Sequence, residues 1–236
     1  MRRITLLAVF TSLAFATAAL AAGSATLTVD PNGVGKGSVA TVEATPPNAS
    51  KNPSSVALQV VKGVKFNGKA VATRCTNAQA NQNSCPAGSR VGGGRIDVTA
   101  TPGGPVVVDV ALFLGTKQKA ADLAGVVAIA TVRQTGQKGH AIWRIRRIDQ
   151  GNLGIETRFD NLNNALKPPA GFKVHVDHLK LRFGKHRQVN GKRVDLITNP
   201  STCGQNGWPY RVIVKYPDGT GKNFHGSATC SPAPTP

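Results

Sequence analysis

Short stretches in which apolar and polar residues alternate recur about every ten to fifteen residues, separated by Gly, Pro, Asn and Asp, and this rhythm limits the fold most. Successive side chains of an extended chain point to opposite faces, so each stretch has one apolar face that is buried by pairing into sheets. Ser55–Val61 is typical, with Val56, Leu58 and Val60 on one face. Similar stretches cover 25–30, 95–100, 106–114, 126–132, 141–148, 154–159, 172–183 and 193–198. A terminal hairpin is expected from 211–216 and 223–229, turned through Pro217-Asp218-Gly219. Glu, a helix former, occurs only at Glu43 and Glu156. Segments 118–123 and 161–166 leave room for one or two helical turns at most. About a dozen strands without a long helix predict an all-β chain, a β-sandwich of the immunoglobulin-like or jelly-roll type.

The stretch Lys173–Phe183 allows a finer reading. Val174 and Val176 share one parity, while Leu179, Leu181 and Phe183 have the other. The slip falls near Asp177-His178, and a β-bulge there returns every apolar side chain to the core. The outward set is then Lys173, His175, Asp177, His178, Lys180 and Arg182.

The chain begins with a leader. Arg2 and Arg3 precede an uncharged apolar run ending near Leu20, and Ala18, Ala19, Ala21 and Ala22 supply small residues for cleavage. Residues 1–21 are therefore expected to be a signal peptide and 22–230 a β-sandwich domain. Thr101-Pro102-Gly103-Gly104-Pro105 is the best candidate for a junction between two sub-sandwiches. The Pro-rich tail, 231–236, is expected to be disordered. No later run reaches the 18 or so apolar residues of a membrane helix.

Export changes the meaning of the four cysteines, Cys75, Cys85, Cys203 and Cys230. An even number in an oxidising compartment reads as disulfides, of which three connectivities are possible. The two local bridges are favoured. Cys75 and Cys85 bracket a polar loop that does not pack by itself, and the terminal hairpin returns Cys230 towards Cys203.

The formal net charge is +18, and removing Arg2 and Arg3 with the leader lowers it by two. Between Lys138 and Arg193 there are 13 basic and 4 acidic residues. Arg144 and Arg146 share the strand face opposite Trp143 and Ile145, and Lys180 and Arg182 recur in the same way on 172–183. Were those strands neighbours, the four would form a basic patch for an anionic wall polymer or acidic polysaccharide. Nucleic acid is disfavoured, because aromatics are few and are not interleaved with the basic residues.

Two constellations suggest chemistry. His175, Asp177 and His178 form a compact set of potential metal ligands. Leu196-Ile197-Thr198…Cys203, with Arg211 and an upstream His140, is superficially similar to a sortase-type thiol site, but Asn199-Pro200-Ser201-Thr202 intervenes and Cys230 is an obvious partner for Cys203. No cofactor motif is present.

Two further stretches carry a family resemblance: Cys75…Cys85-Pro86-x-x-Ser89-x-Val91-Gly92-x-Gly94, and Leu196-Ile197-Thr198-Asn199-Pro200-Ser201-Thr202-Cys203…Trp208…Tyr216-x-Asp218-Gly219…Cys230. Together they resemble secreted, disulfide-containing all-β proteins of actinobacteria, a group with no assigned activity. The resemblance implies two disulfides, a β-sandwich and an extracellular or wall-facing location. The resulting expectation is an exported, non-enzymatic component of the cell envelope. The alternative is a secreted enzyme, metal-dependent at His175/Asp177/His178 or thiol-dependent at Cys203.

Overall fold

A computed structural model describes residues 23–46, 53–160 and 173–232. The leader expected at 1–21, the helical turn expected at 161–166 and most of the tail lie outside them. Along the chain run β1 (Ser24–Asp30), β2 (Val39–Thr45), β3 (Ser55–Val61), β4 (Lys65–Phe66), a short helix α1 (Asn77–Asn81), β5 (Arg90–Thr101), β6 (Gly104–Gly115) and β7 (Asp122–Val132). They are followed by β8 (Lys138–Gln150), β9 (Leu153–Asp160), β10 (Lys173–Phe183), β11 (His186–Val189), β12 (Lys192–Asp195), β13 (Ile197–Thr198), β14 (Trp208–Lys215) and β15 (Gly221–Ala228). The protein is all-β, as its alternation requires.

Eleven strands form one antiparallel sheet in the order β1-β2-β10-β5-β6-β7-β8-β9-β3-β14-β15. The two packed layers of a sandwich are here two halves of this continuous sheet. It curls until its edge strands, β1 and β15, pack side by side. Residues 101–104 are simply the turn between β5 and β6, which pair along their length. Leu27 of β1 packs in one cluster with Tyr210, Val212 and Val214 of β14.

The seam between β1 and β15 is held by other means than a strand ladder. Tyr210 lies directly opposite Gly226 of β15 and donates its hydroxyl across that strand to the carbonyl of Ala25, at 3.1 Å. A Cβ at position 226 would overlap the Tyr210 phenol, so glycine there opens the path. Beyond the strands, Val34 N donates to Ser231 O and Ser231 N to Asn32 O.

The bulge in β10 falls where the parity slips. Val176 pairs with Val98 and His178 with Asp97, leaving Asp177 as the extra residue. Close backbone approach marks the next part of this pairing. A Cβ on Gly92 or Gly94 of β5 would overlap the carbonyl oxygens of Arg182 and Lys180.

Both disulfides join the expected partners, Cys75–Cys85 and Cys203–Cys230. The first encloses more order than its polar sequence suggested. Thr76 and Gln79 form a reciprocal capping box that starts α1. Its Ala80 is fully buried in a small core with Phe113, Val127 and Ile129 on the outside of the sheet. A five-residue helix is marginal alone, so the bridge and this packing hold it. Segment 118–123 makes one turn, Asp122 N donating to Lys119 O, before β7 starts at Asp122.

One end of the curled sheet is closed by a cap. Phe66 pairs with Ile197 and Lys65 with Thr198, joining β4 to β13. Ser38 N donates to Ile197 O, Asn199 N to Lys36 O and Gly35 N to Pro200 O. Inside the cap, Ser38 donates to Asn199 Oδ1 at 2.6 Å, and the Asn199 amide donates to Pro31 O and Gly33 O, each at 2.9 Å. The cap residues Leu196, Ala70 and Val71 are buried in the same cluster as Leu112, Leu114 and Ile145 of the sheet.

A candidate ligand cavity

Alternation decides what lies inside the curl, and the inner wall has an unusual property. In β3 the inward Val56, Leu58 and Val60 are only half-buried, whereas the outward Ala57 and Gln59 are buried. In β9 the inward Ile155, Thr157 and Phe159 are likewise half-buried, while the outward Glu156 has no exposure at all. Inner apolar side chains keep accessible surface because they face a cavity of about 250 Å³.

All eleven strands of the large sheet contribute to its lining, from Leu27 of β1 to Ala228 of β15. The wall is aliphatic and aromatic, and includes both tryptophans of the chain, Trp143 and Trp208. Among the described residues no charged side chain lines it, and its polar side chains beyond the indoles are Ser38, Thr157 and Asn199. Ser38 and Asn199 are committed to each other and to the cap backbone. Trp208 Nε1 donates to Thr202 O at 2.8 Å. Trp143 packs at 5.4 Å, tilted, on Phe159, its partner across β8 and β9, and its buried Nε1–H has no acceptor among the described residues.

The outer face is the electrostatic counterpart. Arg146, Glu156, Gln59 and Arg211 stand in one row across β8, β9, β3 and β14. Arg146 pairs with Glu156 at 2.6 Å, and Arg158 approaches the same carboxylate at 3.1 Å. Gln59 donates to Glu156 at 2.7 Å and accepts from Arg211 at 2.7 Å. Burial opposes ionisation of Glu156, but the hydrogen bonds from Gln59 and Arg146 and the nearby Arg158 outweigh it, so the carboxyl titrates below its ordinary value. Asp122 is held down in the same direction, first by hydrogen bonds from Arg144.

The four basic residues picked out by charge are all on the outside, but not together. Arg144 and Arg146 lie on β8 and Lys180 and Arg182 on β10, with β5, β6 and β7 between them. Arg144 is engaged with the buried Asp122 at 2.9 Å, and its side chain is 23% exposed. Lys180 pairs with Glu43 at 3.1 Å yet stays 56% exposed. A hydrogen bond from Lys180, with another from His178, lowers the Glu43 carboxyl below its usual range.

His175, Asp177 and His178 split into two groups. His175 faces Asp177 at 2.5 Å, and Thr99 donates to the other oxygen of Asp177 at 2.8 Å. His178 turns to Glu43 at 3.0 Å and stands 3.7 Å from Asp97. Among the described residues, no group of three or more His, Cys, Asp or Glu is arranged to hold a metal ion. Cys203 is bonded to Cys230, so its sulfur is not a thiolate nucleophile in this structure.

The alternation in the sequence puts several lining residues, among them Val56, Leu58, Val60, Trp143 and Ile145, on the correct strand face without revealing the cavity. The signal was the parity of Trp143 and Ile145 against Arg144 and Arg146; what it omits is the spacing between opposing walls. Compared with known proteins, the chain matches no protein-family model and no curated protein.

Proposed function

We propose that this is an exported, non-enzymatic binding protein of the cell envelope that carries an apolar ligand inside its curled sheet. The observation that carries the reading is the cavity to which every strand of the large sheet contributes apolar wall. About 250 Å³ of space walled by apolar side chains is a standing cost to the fold, because those side chains lack the partner atoms that a filled core supplies. A few larger side chains would remove that cost. Preserving the space makes sense when something else occupies it.

Among the described residues the wall holds no Asp, Glu, His, Cys, Lys or Arg, and its Ser38 hydroxyl is spent on Asn199, which favours binding over catalysis. The leader pattern and two disulfides support an extracellular address. The outside supports a water-soluble carrier, because the outward residues of β10 are Lys173, His175, Asp177, His178, Lys180 and Arg182, whereas a membrane barrel presents an apolar band there. The excess positive charge draws such a carrier towards anionic wall polymer or lipid headgroups.

The uncharged dye N-phenyl-1-naphthylamine tests this reading. Its fluorescence should rise saturably with one site per chain, and Val60→Trp, which fills the cavity, should abolish the rise while leaving the fold intact. A linear, unsaturable signal from the wild-type protein would overturn the proposal.

A further inference from the structure

Charge is least balanced at the cap and the β11–β12 hairpin tied to it. Residues 31–38, 65–74 and 184–200 carry eight Lys and Arg, and Asp195 is their sole acid, with Asp30 just before the first segment. The walls differ, since Asp109 faces Arg133 there, Asp122 faces Arg144, Asp149 faces Lys62 and Glu156 faces Arg146. The arginines of the cap are also engaged. Arg74 donates to Gly68 O at 3.1 Å, Arg187 to Lys69 O at 2.8 Å, and Arg193 pairs with Asp195 at 2.9 Å. By contrast, Lys36, Lys65, Lys69 and Lys192 are exposed, and their ammonium groups have no partner among the described residues. The fold gathers them on one end. Thr198 bridges to Gly37 and pairs with Lys65, which brings the segments of Lys36 and Lys65 together. The bond from Arg187 ties the hairpin, with Lys192 near its tip, to the backbone of Lys69.

We propose that this capped end docks on the surface of an anionic lipid bilayer. Two features select a bilayer over a soluble polyanion. The unpaired charges are lysines on flexible stems from three separate segments, point charges that suit a broad layer of headgroups. The guanidinium forks that would clasp single phosphate groups of a polymer are already spent within the cap. The second feature rests on the cavity reading above. Phe66, Ile197 and Pro200 line the cavity from the same segments that carry the lysines. A bilayer is an anionic surface with an apolar interior, so docking by this end sets the cavity beside the phase in which an apolar ligand dissolves.

Co-sedimentation with vesicles of phosphatidylglycerol and phosphatidylcholine tests this, with phosphatidylcholine vesicles as the uncharged control. Each lysine beside an anionic surface is worth about fivefold in partitioning. Lys36→Gln/Lys65→Gln/Lys69→Gln should therefore weaken binding about a hundredfold at low salt. Lys138, Lys173 and Lys215 stand at the other end of their strands, paired with Thr131, Thr101 and Ser55. Changing those three to Gln removes the same charge and should cost less than about tenfold. With the wild type alone, anionic vesicles should slow hydrogen exchange in residues 65–69 and 186–195 and leave the turn at 216–221 unchanged. Equal losses in the two triple variants, no binding to anionic vesicles, or no slowing in those segments overturns the proposal. So does a cap variant that keeps vesicle binding but loses binding to immobilised teichoic acid, which would make the cap a polymer site. Saturable binding of N-phenyl-1-naphthylamine should persist in both variants. Failure of the dye to bind the wild type, with the vesicle results as expected, removes the cavity reading and leaves the docking face standing on its charge.

Discussion

Replacing Glu156 by Gln separates charge from shape at the centre of the outer network. Gln fills the same volume and still accepts from Gln59, so the change removes the negative charge and little else. Arg146 and Arg158 then lose the carboxylate they share, with side chains 37% and 26% exposed. Breaking a fully buried ion pair from one side costs roughly 3–5 kcal/mol. Water reaches both guanidiniums here and lowers that figure to about 2–3 kcal/mol. The dependence on pH is the sharper test. The Glu156 carboxyl is held below its ordinary value of 4.5 in the folded protein, so on acidification the unfolded chain takes up the proton first. Its contribution is complete above about pH 4.5 and is lost as pH falls through the lower, folded value. Urea unfolding at low salt should therefore show the full gap between wild type and Glu156→Gln at pH 7, narrowing steadily below about pH 4.5. A gap under about 0.5 kcal/mol at pH 7, or one of constant size down to pH 3, would refute the assignment of Glu156 as the ionised centre of the row.

The cap and the charged exterior give two more tests. Cys203 and Cys230, 27 residues apart, tie the cap to the end of β15; replacing both by Ser should lower stability by about 3–4 kcal/mol in the chain-entropy account, measured by urea unfolding, and a loss below 1 kcal/mol would mean that the cap is held without the bridge. Lys180→Gln with Arg182→Gln should reduce binding to immobilised teichoic acid and flatten its salt dependence; retention that is insensitive to salt in the wild-type protein would exclude the electrostatic attraction.

Much of the fold was legible because side-chain parity is a local property. The bounds of Ser55–Val61, the bulge at Asp177, and the Pro217-Asp218-Gly219 turn, where Gly219 takes φ +81°, follow from residues within a few positions of one another. Strand β2 was missed for a related reason. Its inward residues Ala40, Val42 and Ala44 are small and its outward Thr41 and Glu43 alternate weakly with them. Helix α1 was hidden by polarity, although Thr76-x-x-Gln79 is a capping signal that would have revealed it. The cavity and the Glu156 row had no local signature. Both depend on the order of strands, which brings Gln59, Glu156 and Arg211 into one row from distant parts of the chain. The basic residues show the same limit: their faces were readable, and their separation by three strands was not.

The seam also sets a timetable. Its two sides are β1 and β15, the first and last strands of the large sheet, and β1 reaches the rest of that sheet only through β2 and the distant β10. A chain emerging with its N-terminus first can assemble the run from β5 to β9 from successive hairpins, but its cavity has no complete wall until the C-terminal hairpin arrives. Pairings of such long range form slowly. The inner apolar faces are therefore the last surfaces of the large sheet to be enclosed, once β15 has paired with β14.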